Sequence, residues 1–188
     1  MKISCIAVLV LLMATASFAQ APRAALSSPV SDIYVGYVAT FPDYGVNFNS
    51  IRFDGVEVAY TENFRRHLAL TAAIDATFGG PFSAKQVSGT IGPKVNLLTG
   101  RVRPYITAQA GFALQNSNGM YAGDHHPPVL AGASLTEDGF TYRIGGGLDI
   151  NLRHKLYWRV LQWDLQPQPW GRHTPFYQNW GSGVGYHF

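Results

Sequence analysis

The stretch NWGSGVGYHF, residues 179–188, decides the fold. In an extended chain, successive side chains point to opposite sides of the strand. One row then consists of Trp180, Ser182, Val184, Tyr186 and Phe188, and the other of Asn179, Gly181, Gly183, Gly185 and His187. The first row is mostly apolar and aromatic, whereas the second is small or polar. This pattern predicts a strand with two chemically different faces.

Seven earlier segments show a similar alternation. The third of them, residues 68–78, is rich in Ala and Leu, which favour a helix, but its alternation and its Thr residues favour a strand. The segments are DIYVGYVAT (32–40), GVEVAYT (55–61), LALTAAIDATF (68–78), QVSGTIGPKVN (86–96), VRPYITAQAGFALQ (102–115), GFTYRIGGGLDINL (139–152) and KLYWRVLQW (155–163). Together with the final stretch they make eight candidate strands and no convincing amphipathic helix.

The connections between these strands alternate in length. Short turns occur at ENFRRH (62–67), LLTGR (97–101) and RHK (153–155), and longer segments at 41–54, 79–85, 116–138 and 166–177. Short turns at one end and longer loops at the other are typical of an up-and-down meander of the bacterial outer-membrane type. A strand of about 9 to 11 residues crosses a bilayer when it is tilted. Because lipid cannot satisfy an open edge, we expect the last strand to pair with residues 32–40 and to close a barrel.

The charged residues of the strands indicate which face is inside. They lie opposite the aliphatic row: Glu57, Asp75, Lys94, Arg103, Arg143, Asp149 and Arg159. A charge facing lipid near the midplane costs about 2–4 kcal/mol for Arg or Lys, so these side chains are predicted to pair in the lumen. Glycines on the same face would leave room for the Arg and Lys side chains. Eight strands enclose a space that side chains can fill, so we expect a plugged cylinder. A catalytic cluster is disfavoured, because no nucleophile and base recur at a diagnostic spacing.

The first residues predict export. Residues 1–19 combine Lys2, an apolar run and Ser17-Phe18-Ala19 before Gln20, as in a secretory signal peptide. Cys5, the single cysteine, lies within it, so the mature chain is expected to carry no thiol, which suits an oxidising periplasm. Residues 20–31 are interpreted as a lead-in and 32–188 as the barrel domain.

Composition narrows the class of protein. Charged residues make up 13% of the chain and aromatic residues another 13%, and the net charge is +3. So few charges are unusual for a soluble domain and suggest a surface that partly faces lipid. Arg65-Arg66-His67 is the largest basic run, which does not indicate a nucleic-acid partner.

Four stretches resemble the small eight-stranded outer-membrane barrels of Gram-negative bacteria, the OmpA/OmpX-like superfamily and its outer membrane protein beta-barrel domain members. They are VAYTENFRRHLALTAAIDATFGG (58–80), TIGPKVNLLTGRVRPYITAQAGFA (90–113), GFTYRIGGGLDINLRHKLYWRVLQWDL (139–165) and QNWGSGVGYHF (178–188). The resemblance implies an all-β, eight-stranded antiparallel transmembrane barrel without cofactor, expected to be a monomer in contact with outer-membrane lipid and lipopolysaccharide. It also implies that the assembly machinery reads the last strand as an insertion signal, carried by Trp180, Val184, Tyr186 and Phe188.

Two features depart from a regular barrel. Pro93 and Pro104 fall within predicted strands, where each would remove a ladder donor and indicate a bulge or a strand start. At Gln162 to Asp164, strict alternation would send polar groups towards lipid. We therefore expect the seventh strand to leave the membrane there.

Other chemistry is possible in two loops. His125-His126 beside Asp124 could ligate a metal, but consecutive histidines diverge and a solvated loop tip is the simpler interpretation. His173 and Thr174 resemble parts of lipid A deacylases, but the His-x-Ser stretch of that class is missing. We therefore predict a non-enzymatic barrel with a structural or loop-mediated role. A lipid-A-modifying enzyme or small-solute channel is the first alternative, and a soluble lipocalin-like barrel, with its apolar face inward, is the second.

Overall fold

The computed structural model describes residues 31–43, 52–79, 84–118, 134–153, 155–167 and 176–188. The predicted signal peptide, the His125-His126 pair and His173 lie outside these residues. None of the described residues forms a helix long and apolar enough to cross a membrane.

Eight strands form the fold. They are β1 (Ser31–Asp43), β2 (Phe53–Asn63), β3 (Leu68–Gly79), β4 (Ala84–Asn96), β5 (Val102–Asn118), β6 (Ser134–Arg153), β7 (Leu156–Pro167) and β8 (Phe176–His187). Each strand pairs with the next one in the sequence, and the sheet is a closed barrel. The predicted all-β, eight-stranded antiparallel up-and-down barrel is therefore confirmed.

The barrel closes between β8 and β1, as predicted from the final stretch. Their antiparallel ladder runs from Asp32↔His187 to Asp43↔Phe176. Ser31 and Phe188 extend it by exchanging backbone hydrogen bonds, 3.2 Å from the Ser31 nitrogen and 2.9 Å from the Phe188 nitrogen. No edge of this sheet is left open, which is what a strand in lipid requires.

The two faces of the wall differ as the alternation predicts. In β3, for example, Thr71 and Asp75 are buried, whereas Ile74 and Phe78 are 63% and 50% exposed. Exposed large apolar side chains occur on all eight strands, and Phe112 reaches 69% exposure. A lipocalin-like barrel would have the opposite arrangement, so that alternative is wrong.

All four predicted longer loops, 41–54, 79–85, 116–138 and 166–177, are shorter than expected, because the strands beside them are longer. Residues 116–138 were interpreted as a loop, but the β5–β6 ladder continues to Asn118↔Ser134. Apart from Leu135, residues 116–118 and 134–138 of this hairpin are polar. Period-two hydrophobicity does not reveal strands with so few apolar residues. The hairpin therefore extends beyond the apolar part of the wall.

The two prolines behave differently. Pro104 is the third residue of β5, which agrees with a strand start. At Pro93, pairing with β5 lapses between Ile91↔Ala110 and Lys94↔Thr107, and the register is the same on both sides. The expectation of a bulge or a strand start is therefore wrong for Pro93, because the missing N–H removes a bond without adding a residue.

A bulge does occur in β7. Asp149 pairs with Arg159 and the adjacent Leu148 pairs with Leu161, so Val160 is an extra residue. The ladder with β8 shifts at the same place. A bulge of this kind changes the phase of the side chains beyond it. The strand continues to Pro167, and Gln162 and Asp164 are buried inside the barrel. The premise that their polar groups would face lipid is therefore wrong, and with it the reason for expecting the strand to leave the membrane there.

Candidate functional site: the barrel interior

Arg143 of β6 is the centre of the interior and is 1% exposed. Its Nη1 donates to Glu57 Oε2 at 2.9 Å, and its Nη2 donates to Asp75 Oδ1. Glu57 and Asp75 are direct partners across β2 and β3. Like charges in that position repel each other, so the guanidinium between them compensates the pair. Ser88 of β4 also donates to Asp75 Oδ1, at 2.6 Å.

A second ion-paired group surrounds Asp149 of β6. Arg159 Nε donates to one carboxylate oxygen at 2.9 Å, and Lys94 Nζ donates to the other at 2.9 Å. All three residues are at most 3% exposed. Arg159 also lies 3.9 Å from Glu57. The two groups are thus continuous across the barrel.

Gln162 and Asp164 of β7 join the same network. Gln162 Oε1 accepts from Arg159 at 2.9 Å, and its Nε2 donates to Glu57 at 3.1 Å and to Asp164 at 2.7 Å. Asp164 is 1% exposed. Neither residue was predicted to face the lumen, because strict alternation along β7 places both outside. Only the bulge at Val160 brings them inward. Its one sign in the sequence was that strict alternation would have turned these polar residues towards lipid, which was interpreted as the strand leaving the membrane.

Three tyrosines pack around these cations. Arg159 lies 4.0 Å from the ring centroid of Tyr34 and 4.9 Å from that of Tyr105, and Lys94 lies 4.0 Å from the Tyr105 ring. Arg103 lies 5.4 Å from the ring of Tyr157. These distances are within the range of cation–π attraction. Tyrosine rings therefore lie against Lys94, Arg103 and Arg159 in addition to the polar partners of these cations.

The tyrosines also occupy the space over the lumen glycines. A Cβ at Gly147 would lie 2.6 Å from the Tyr105 hydroxyl, and one at Gly183 would lie 2.9 Å from Tyr34 Cε2. At Gly185 it would overlap the ring of Tyr157. The prediction that these glycines leave room for Arg and Lys is therefore wrong at these three positions. They allow flat aromatic rings to lie close against the wall.

The remaining predicted lumen residue, Arg103, lies at the end of the barrel that carries the short turns. It is only partly buried and lies 3.1 Å from His187 Nε2. His187 Nδ1 in turn lies 2.5 Å from Asp32, and its ring stacks on Tyr157 at 4.8 Å. Arg103 therefore belongs to a separate group, whose members Asp32 and His187 were not among the predicted charges.

Little space remains between these side chains. The void lined by Glu57, Lys94, Arg143, Arg159 and Asp164, among others, has a volume of about 10 Å³. That is about the space one water molecule needs. The middle of the lumen is therefore packed.

The four predicted assembly residues lie on the outer face of β8 and at its end. Trp180, Val184, Tyr186 and Phe188 are 42%, 58%, 39% and 59% exposed. Phe188 lies 6.5 Å from the ring of Tyr186 and 6.4 Å from that of Tyr60 on β2. Tyr60, Tyr186 and Phe188 thus form an outer aromatic group that crosses the seam on the outside of the wall.

No group of His, Cys, Asp and Glu suited to a metal ion occurs within the described residues. The histidine pair considered in the sequence lies beyond them.

No protein-family model matches the chain. No curated protein matches it significantly either. Solved structures do match. Ail, the attachment invasion locus protein of Yersinia pestis, gives a TM-score of 0.59 at 18% identity, over 86% of this chain and 99% of that chain. Neisserial surface protein A gives 0.66 at 9% identity, over 84% and 97%. The chain is an eight-stranded barrel of the outer-membrane type. A third similar structure, the outer membrane protein OprG of Pseudomonas aeruginosa, gives 0.55 at 11% identity, over 86% of this barrel and 96% of that chain. The predicted resemblance to small outer-membrane barrels is thereby confirmed at the level of the fold.

Proposed function

We propose that this protein is an integral outer-membrane barrel with a structural or interaction role, and that its interior is closed to solutes. The observation that carries the proposal is the ion-paired network of Arg143, Glu57, Asp75, Asp149 and Arg159, which spans the lumen. A channel would need a free path at this place.

The energetics support a closed interior. To let an ion pass, Arg143 or Arg159 would have to leave carboxylates that are themselves buried. Separating a buried pair costs about 3–5 kcal/mol, because a charge is left without compensation. The central void holds about one water molecule and so offers no alternative route.

The interaction role is assigned to the end of the barrel opposite the short turns, here called the loop end, where residues 44–52, 80–83, 119–133 and 168–175 connect the strands. The β5–β6 hairpin extends to this end as a polar ladder. Ail has been solved in complex with the heparin analogue sucrose octasulfate, so a barrel of this fold has been found with a polyanionic ligand. A comparable contact is part of the proposal for this chain.

Two measurements test the proposal. Outer-membrane fractionation followed by gel migration with and without heating should show a heat-modifiable, detergent-dependent species, as expected for a closed barrel. A water-soluble monomer would overturn the membrane assignment. In planar bilayers the protein should give no stable conductance steps, and regular steps would favour the channel instead.

A further inference from the structure

The short turns gather positive charge at one end of the barrel. Arg65 and Arg66 lie in the β2–β3 turn, Arg101 lies in the β4–β5 turn, and Arg153 and Lys155 lie beside the β6–β7 turn. All five side chains are exposed. No single run shows this accumulation, since each turn contributes only one or two cations. Up-and-down topology brings the three turns to the same end.

Few carboxylates balance these cations. Among the described residues at this end, Glu62 is partly exposed and accepts hydrogen bonds from Ser31 at 2.6 Å and from Tyr60 at 2.7 Å. Asp32 is buried against His187. Among the described residues at this end, the cations are therefore in excess. At the loop end, by contrast, the described exposed charges are Arg52 and Lys85 against Asp54 and Asp138.

Apolar side chains accompany the cations in the same turns. Phe64, Leu97 and Leu98 are 47%, 52% and 60% exposed, although turns normally carry polar residues. Lys155 Nζ lies 5.8 Å from the ring of Tyr186, which belongs to the outer aromatic group. This contact places at least one of the cations at the outer perimeter of the wall, at the level of an interfacial aromatic residue.

We propose that the turn end, defined by Arg65, Arg66, Arg101, Arg153 and Lys155, binds the headgroups of anionic phospholipids, while Phe64, Leu97 and Leu98 enter the same leaflet. Basic side chains beside exposed apolar ones are the combination that attaches protein segments to an anionic membrane surface. Short turns lie on the periplasmic side of bacterial barrels, so the leaflet is the inner one of the outer membrane. This inference rests on the proposed insertion in a membrane.

Lipid selectivity measured by electron paramagnetic resonance tests the proposal directly. The barrel is inserted into phosphatidylcholine vesicles, and spin-labelled phosphatidylglycerol is compared with spin-labelled phosphatidylcholine as the probe. One Lys or Arg near the surface attracts an anionic lipid by about fivefold. The leaflet at the loop end is expected to show no selectivity. The average over the two leaflets is then a preference for phosphatidylglycerol of about threefold. It should disappear in 1 M salt, where the Debye length is about 3 Å.

Two variants locate the effect. Replacing all five turn cations by Gln should bring the preference to about onefold, whereas Arg52→Gln/Lys85→Gln at the loop end should leave it unchanged. Both variants change only exposed side chains, so heat-modifiable migration should show that both fold. An equal affinity for the two probes in the wild type, or a preference that survives in the turn variant, would overturn the inference.

The same variants separate this inference from its alternatives. If the loop-end variant alone lost the preference, the lipid site would lie at the other end of the barrel. If the wild type showed no preference but sedimented with peptidoglycan through the turn cations, the partner would be an acidic polymer and the lipid proposal would be wrong. Failure to enter vesicles at all would instead refute the proposed membrane function.

Discussion

Replacing Arg143 by methionine should destabilise the barrel more than any exposed charge substitution. Methionine keeps the length of an unbranched side chain but has no donor and no charge. Glu57 and Asp75, both buried and paired across adjacent strands, would then face each other with only Arg159, 3.9 Å from Glu57, as a nearby cation. Removing one partner of a buried ion pair costs about 3–5 kcal/mol.

The structure indicates where in the range of about 3–5 kcal/mol the cost of Arg143→Met should lie. Asp75 keeps the hydrogen bond from Ser88, at 2.6 Å, and Glu57 keeps that from Gln162, at 3.1 Å. These donors partly stabilise the two carboxylates, so we expect the loss in unfolding free energy to be near the lower limit, about 3 kcal/mol. The matched control is Arg52→Met. Arg52 pairs with Asp54 at 2.7 Å, but both side chains are more than half exposed. An exposed pair contributes about 0–1 kcal/mol.

The assay is equilibrium unfolding in urea, followed by tryptophan fluorescence in phospholipid vesicles, with gel migration as a second probe. The triple variant Arg143→Met/Glu57→Gln/Asp75→Asn tests the cause. It removes the uncompensated charges along with the cation, so much of the lost stability should return. Equal effects of Arg143→Met and Arg52→Met, or a triple variant as unstable as the single one, would refute the reasoning.

Three further predictions concern the wall. Gly185→Ala should cost about 1–3 kcal/mol because its Cβ overlaps the ring of Tyr157, whereas Gly89→Ala, with nothing within 4 Å, should be neutral or slightly stabilising; similar unfolding curves would contradict this. Deleting Val160 should leave a heat-modifiable barrel, since only the bulge disappears. Deleting Trp158 should instead turn Arg159 towards lipid, at a cost of about 2–4 kcal/mol. Equal folding yields of the two variants would argue against the bulge. Phe188→Ala should slow insertion by the assembly machinery far more than Phe176→Ala, which also removes an exposed aromatic ring from β8; equal rates in reconstituted vesicles would remove Phe188 from the assembly signal.

The sequence predicted the strands well, because period-two alternation is local and each strand has one apolar face. It also predicted the seam, because a closed barrel requires β8 to pair with β1. The β5–β6 hairpin was predicted too short, since its outer part has one large apolar residue, Leu135, and is otherwise polar. Hydrophobic alternation detects a strand only where its two faces differ.

The contacts inside the barrel could not be predicted in the same way. Arg143 contacts Glu57 and Asp75 from a strand distant in the sequence, and the partner of a long side chain depends on the register of every intervening strand. The tyrosines over Gly147, Gly183 and Gly185 are another example. Alternation places both residue types on the inner face, but only the three-dimensional register shows which ring covers which glycine.

Val160 shows how far a single residue determines the interior. In a regular β7, a strand with Arg159 inward would also place Leu161 inward, and both Gln162 and Asp164 would point outward. There the charge of Asp164 would face lipid without a partner. The extra residue lets Arg159, Gln162 and Asp164 all face the lumen. Gln162 is then the side chain that connects Arg159 to Glu57. The continuity between the two ion-paired groups therefore depends on an irregularity of the backbone. Strict alternation does not take this bulge into account, and so it underestimates the number of polar groups inside the barrel by Gln162 and Asp164.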